Sequence, residues 1–104
     1  MYVLVEGGKT KTLSVVVDTE GHVRGYYVGG STGWSTVGFD RAYENLVLAI
    51  KESLRASSVH PRELKGAVLG LPDLDTEQDK EYFARRIRES GLFEHDPIVV
   101  PDFV

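Results

Sequence analysis

Hydrophobic residues follow a period of two in some parts of the chain and a helical period in others. Leu13, Val15 and Val17 alternate with their neighbours, which is typical of a strand. From Phe39 to Leu54 apolar residues fall at three- and four-residue steps, which predicts a long amphipathic helix. Short apolar runs that end at glycine or proline predict further strands. The predicted strands are residues 2–5, 12–17, 23–28, 67–71 and 98–100.

The segments between these elements contain residues that predict turns and loops. Asp18–Gly21 predicts a hairpin turn, and Gly29–Gly38, rich in glycine, serine and threonine, predicts a loop. Pro61 is expected to begin a single helical turn.

A second helix is predicted between the last two strands. Asp75 followed by Gln78 resembles a capping box with Asp at the cap. Phe83 and Ile87 form the buried stripe of this helix, and Gly91 suits the position just past its end.

The predicted order is βββαβαβ, an α/β fold of the ribonuclease-H-like type. Right-handed crossovers make strands one, four and five parallel and leave strands two and three antiparallel at one edge. The expected result is a five-stranded mixed sheet in the order 3-2-1-4-5 with helices packed on it. Because residues 2–5 and 67–71 are continuously apolar, we expect both strands to be buried on both faces.

Composition narrows the class of protein. With 104 residues the chain fits a single domain spanning 1–104, too short for two lobes that clamp a nucleotide. A net charge of −4 and the lack of basic runs argue against nucleic-acid binding. The chain has no cysteine, and no apolar run is long enough for a membrane span. Residues 1–5 lack a basic region and lead directly into glycines, so no signal peptide is expected. A cytoplasmic protein with no nucleic-acid or membrane partner is expected.

The candidate functional residues follow the carboxyl ends of the parallel strands. Ligands of open α/β sheets bind outside the carboxyl ends of such strands, which here are Glu6–Thr10, Pro72–Asp75 and Pro101–Asp102. Glycines in the first segment would let the backbone approach a phosphate, and Thr10 or Thr12 could donate a hydrogen bond to it. A Walker A loop is excluded, because Val3 stands at its first glycine position and a strand follows instead of a helix. A plain glycine turn with solvated lysines remains an open alternative.

Residues 5–12, Val-Glu-Gly-Gly-Lys-Thr-Lys-Thr, resemble the phosphate-binding hairpin of the BadF/BadG/BcrA/BcrD ATPase family. This family includes the N-acetylglucosamine kinases of the actin-like and sugar kinase superfamily. The resemblance continues, in order, through residues 17–21, 31–38, 44–46, 69–79 and 99–102, and so spans nearly the whole chain. It implies that the chain is similar to the N-terminal lobe of such a kinase.

The resemblance also implies roles for particular residues and a need for ATP and Mg²⁺. Asp102 would be the general base that takes a proton from a sugar hydroxyl, although a strand-end carboxylate can also simply cap a turn. Glu6 would lie near the phosphate-bound metal, directly or through water. The implied cofactor-binding residues are Glu6, Gly7, Gly8, Lys9, Thr10 and Thr12. The implied substrate-binding residues are Ser31, Thr32, Trp34 and Asp73.

Three departures from the family pattern bear on function. Lys9 replaces a third glycine of the hairpin, and Gly33 stands where these kinases tend to have a sugar-binding asparagine. The second phosphate loop and the adenosine loop belong to a later lobe, so we expect these residues alone to be incomplete for catalysis.

Three functions remain open. The first is the N-terminal lobe of an ATP-dependent kinase for an amino sugar or hexose. The second is a non-catalytic binding or assembly module with a disabled phosphate loop, which could form a homodimer through the exposed lobe interface. The third is a nuclease that uses Glu6 and Asp102 as metal ligands, which the acidic charge disfavours.

Overall fold

The protein is built on a five-stranded sheet in the order β3-β2-β1-β4-β5. The computed structural model describes residues 1–101. The strands are β1 Tyr2–Glu6, β2 Lys11–Val17, β3 Val23–Gly30, β4 Gly66–Leu71 and β5 Ile98–Pro101. The helices are α1 Trp34–Val37, α2 Phe39–Ser57 and α3 Glu77–Glu89, with a 3₁₀ turn at Pro61–Glu63.

Strand β1 is the centre of the sheet. It pairs antiparallel with β2 and parallel with β4, while β3 extends the sheet antiparallel to β2 and β5 extends it parallel to β4. This arrangement confirms the predicted mixed sheet and its strand order.

Both long helices pack on the same face of the sheet. The buried residues of this face include Val3, Val5 and Leu69 on the strands, covered by Leu46 and Ile50 of α2 and by Phe83 and Ile87 of α3. The common side follows from the topology. The connections β3-α2-β4 and β4-α3-β5 both advance in the same direction across the sheet, and right-handed crossovers then put both helices on one side.

The opposite face of the sheet is open to solvent, which corrects one prediction. Strands β1 and β4 were expected to be buried on both faces, but exposure alternates along β1, with Val3 and Val5 buried and Leu4 44% exposed. A continuous apolar run therefore does not guarantee two covered faces when both crossovers place their helices on the same side.

Helix α2 approaches the sheet closely enough to need small residues at the contact. A Cβ atom on Gly25 would lie 2.8 Å from the backbone nitrogen of Ser57. Nearby, the buried hydroxyls of Ser14 and Ser53 form a hydrogen bond of 2.8 Å between β2 and α2. This pair satisfies two polar groups that would otherwise be costly to bury.

Two local predictions need correction. The predicted loop at Gly29–Gly38 is partly regular, because β3 continues to Gly30 and α1 forms a single turn before Gly38, whose φ of 87° breaks it from α2. The cap of α3 is Thr76 and not Asp75, since the Thr76 hydroxyl accepts a hydrogen bond from the Asp79 amide. The predicted end of α3 is confirmed by Gly91, which has a φ of 69°.

Residues 1–101 contain no helix that is long and apolar enough to cross a lipid bilayer.

We predict that Gly25→Ala destabilises the fold by about 1–3 kcal/mol, because the new methyl group would collide with the backbone of α2. Gly66→Ala is the matched control, since its Cβ would make an ordinary contact of 3.5 Å with the Tyr2 ring. The control should stay within about 1 kcal/mol of wild type. Urea unfolding measures both, and equal effects would contradict a close helix–sheet contact at Gly25.

Candidate functional site

The turn between β1 and β2 is held against the end of β4 by backbone contacts. The Gly7 amide donates a hydrogen bond of 2.7 Å to the Gly70 carbonyl, and the Thr32 amide donates one of 3.1 Å to the Gly8 carbonyl. A Cβ on Gly7 would collide with the Thr32 hydroxyl, and a Cβ on Gly8 would lie 2.7 Å from the Lys11 carbonyl oxygen. Both positions therefore need glycine for backbone packing, whether or not a phosphate binds there.

Two of the predicted site threonines face each other inside the protein. Thr12, expected to bind the cofactor, donates a hydrogen bond of 3.0 Å to the hydroxyl of Thr32, expected to bind the substrate. Both side chains are almost fully buried. They join the hairpin to the segment that follows β3, and neither is open to a ligand in this arrangement.

Thr10 and Glu6 are placed differently, because both are exposed. They line a depression of about 360 Å³ beside the hairpin turn, together with Gly7, Gly8 and Lys11. Of the predicted cofactor residues, Glu6 and Thr10 have accessible side chains in this depression, and the exposed side chain of Lys9 lies outside its lining.

Asp73 joins three separate segments at the end of β4. Its Oδ2 atom accepts hydrogen bonds from the amide and the hydroxyl of Ser35, at 3.2 and 2.7 Å. Its Oδ1 atom lies 3.6 Å from the Lys9 ammonium, and its side chain is only 9% exposed. Although partial burial acts to raise it, the hydrogen bonds from Ser35 and the nearby charge of Lys9 hold the pKa of Asp73 below its ordinary value.

Trp34 packs as part of the protein interior at this edge. Its ring stacks on Phe39 with centroids 4.6 Å apart, and its indole N–H donates a hydrogen bond of 2.7 Å to the Asp73 carbonyl. Asp73 itself has a φ of 63°, a conformation that aspartate tolerates better than most residues. One face of Trp34 and its only donor are thus used within the fold.

Ser31 is also engaged internally. Its hydroxyl accepts a hydrogen bond from the Gly33 amide at 3.0 Å and donates one of 3.4 Å to the Gly8 carbonyl. The Ser31 carbonyl accepts a hydrogen bond of 2.8 Å from Asn45 of α2. The sequence analysis assigned no role to Asn45. Its position beside the apolar stripe of α2 could have indicated that its side-chain amide bonds to the segment after β3.

The three predicted rim segments end on the same edge of the sheet. The end of β1 contacts the end of β4 through Gly7 and Gly70, and Leu71 pairs with Pro101 at the end of β5. Asp102, the predicted general base, directly follows Pro101 and lies outside the described residues. Within 1–101 no group of three or more histidine or acidic side chains is arranged to hold a metal ion.

A solved structure shares this fold: a putative N-acetylglucosamine kinase from Chromobacterium violaceum, with a TM-score of 0.71 and 17% sequence identity. What the two proteins share is the fold. The match covers 97% of this chain and 34% of the other, so the chain spans about a third of that protein. No family model and no curated protein matches the sequence. Membership of the BadF/BadG/BcrA/BcrD family therefore stays a prediction.

We predict that Asp73→Asn lowers the melting temperature at pH 7 by about 4–8 °C, because it removes the charge that Ser35 and Lys9 stabilise. The folded pKa of Asp73 lies below its ordinary value of 3.8, so its stabilisation is present above that value and is lost as the pH falls through the folded pKa. The difference between variant and wild type should therefore shrink at acid pH. The exposed Asp75→Asn is the control, and a difference independent of pH would contradict the assignment.

Proposed function

We propose that this chain is the phosphate-binding lobe of a sugar-kinase-like ATPase and that it needs a second lobe to phosphorylate a sugar. The observation that carries the proposal is the glycine turn between β1 and β2, which is fixed to the carboxyl end of β4 at the edge where open α/β sheets bind ligands. The resemblance of residues 5–12 to a phosphate-binding hairpin and the fold shared with a named kinase support the same function.

The accessible groups beside the turn fit a nucleotide phosphate. Thr10 offers a hydroxyl donor, and Lys9 and Lys11 are exposed cations next to it. Phosphoryl transfer depends mainly on positioning and on neutralising charge, and such donors and cations supply both. Glu6 lies in the same depression and would be the carboxylate near Mg²⁺, which would supply the neutralising charge on the phosphates.

The substrate would lie toward the ends of β4 and β5 in this proposal. Asp102, the next residue after β5 in the sequence, would accept the proton of the attacking sugar hydroxyl. Because Asp73 and Trp34 make their polar contacts within the protein, we propose that they shape the wall of this site and position its loops.

One observation favours the alternative function, a non-catalytic binding or assembly module. Lys9 stands where the family has glycine, and its ammonium lies close to Asp73. An ammonium group paired with Asp73 is less available to a phosphate, which would weaken phosphate binding at the turn.

We predict that the chain alone binds Mg-ATP with a dissociation constant of about 1 mM, because one lobe supplies only part of the contacts. In NMR titrations the amides of residues 7–12 should shift most. Thr10→Ala should weaken binding several-fold, while Thr19→Ala, at another exposed threonine in the other hairpin, should not.

The possible results separate the proposals. Micromolar affinity would contradict the need for a second lobe. Absence of any shift at about 10 mM Mg-ATP would contradict the phosphate site and favour the assembly module. Shifts centred far from the turn would place the nucleotide elsewhere and overturn the assignment of Thr10.

A further inference from the structure

The side chain of Lys9 crosses Gly33 and ends at Asp73. A Cβ atom on Gly33 would lie 3.4 Å from both Cα and Cγ of Lys9 and 3.0 Å from Asp73 Oδ2. The Lys9 ammonium lies 3.6 Å from Asp73 Oδ1. Gly8 and Thr10, the neighbours of Lys9 in the turn, line the depression beside it, whereas Lys9 does not. The cation is therefore paired with a carboxylate of the protein, next to the depression and not within it.

The two partners of this ion pair are held with different firmness. Asp73 Oδ2 accepts two hydrogen bonds from Ser35, and the Asp73 side chain is only 9% exposed. The Lys9 side chain is 66% exposed, and its distance to Asp73 exceeds that of an ordinary charged hydrogen bond. An ion pair with such an exposed partner adds little net stability. We expect the carboxylate to stay in place when the ammonium moves.

A phosphate bound beside the turn would compete with Asp73 for this ammonium. The ammonium has three donors, and a phosphate group carries more negative charge than one carboxylate. Lys9 stands between two residues of the lining, so rotation of its flexible four-carbon stem can bring the ammonium to the depression. We propose that Lys9 exchanges Asp73 for a nucleotide phosphate when the ligand binds, an inference that rests on the proposed phosphate site.

The exchange makes Asp73 a residue that restrains phosphate binding. By pairing with Lys9 in the free protein, the carboxylate lowers the affinity for phosphate, so removing its charge should raise that affinity. Lys11 already lines the depression and needs no such exchange. The effect of Asp73 should therefore depend on Lys9 and not on Lys11.

Mg-ATP titrations followed by NMR test the exchange at about 0.15 M salt, where exposed charges that are not in contact are largely screened. Asp73→Asn should bind about two- to five-fold more tightly than wild type, because the ammonium no longer has to leave an ion pair. Asparagine tolerates the positive φ at this position, so the backbone should keep its conformation. The amide spectrum of each variant establishes that it is folded.

A double-mutant cycle separates the exchange from a general effect of charge. Lys9→Met should weaken binding, and in its background Asp73→Asn should leave the affinity nearly unchanged. In the Lys11→Met background, Asp73→Asn should still tighten binding. Asp75→Asn removes an exposed charge from the same segment and is the matched control, which should change the affinity by less than about two-fold.

The Ser35 amide is a second reporter, which can be followed in the wild-type chain. It donates a hydrogen bond to Asp73 Oδ2, so the departure of Lys9 from Oδ1 should shift its resonance when Mg-ATP is added. The same shift should be lost in Lys9→Met.

The outcomes distinguish the exchange from the phosphate site on which it rests. If the amides of residues 7–12 shift but Asp73→Asn has the same effect with and without Lys9, the exchange is overturned and the phosphate site stands. A Ser35 amide that stays unmoved in wild type while residues 7–12 shift would also overturn it. If residues 7–12 do not shift at about 10 mM Mg-ATP, the phosphate site itself fails and the exchange fails with it.

Discussion

The hydrogen bond from the Gly7 amide to the Gly70 carbonyl fixes the geometry of the whole candidate site. It joins the end of the central strand to the end of its parallel neighbour, at a place with no room for a Cβ atom. The adjoining Gly8 carbonyl accepts the Thr32 amide, so the segment after β3 is tied to the same point. Three stretches that are distant in sequence thus share one anchor, and every accessible group beside the turn takes its position from it.

Much of the fold could be predicted from local patterns. Alternation in β2, the helical period from Phe39 and the right-handed rule for crossovers together gave the correct strand order. Turn chemistry also gave the right result at Gly21 and Gly91, where a positive φ is required. These features are encoded within a few residues of each other, or follow from a general rule of chain connection.

Apart from the cap of α3, the differences from prediction arose where distant segments determine the outcome. The exposure of Leu4 depends on which side of the sheet α2 and α3 occupy. The sequence of β1 is apolar at Val3, Leu4 and Val5 alike and does not indicate that side. The short helix at Trp34 is supported by the indole hydrogen bond to Asp73, 39 residues away. The burial of Thr12 against Thr32 has the same origin, since a hydroxyl suited to a ligand is equally suited to a neighbouring hydroxyl. The position of the glycine turn could be predicted from the sequence. Which of the neighbouring side chains are exposed and which are buried could not.

Asp73 has a consequence for the order in which the molecule assembles. Its contacts with Lys9, Trp34 and Ser35 close long stretches of chain, and such closure costs entropy that local hydrogen bonds do not repay. We therefore expect the edge that carries Asp73 to form together with the sheet and not before it. A chain that has not completed the sheet would carry the glycine turn without Ser35, Trp34 and Asp73 around it, so the geometry of the candidate site is a property of the finished domain.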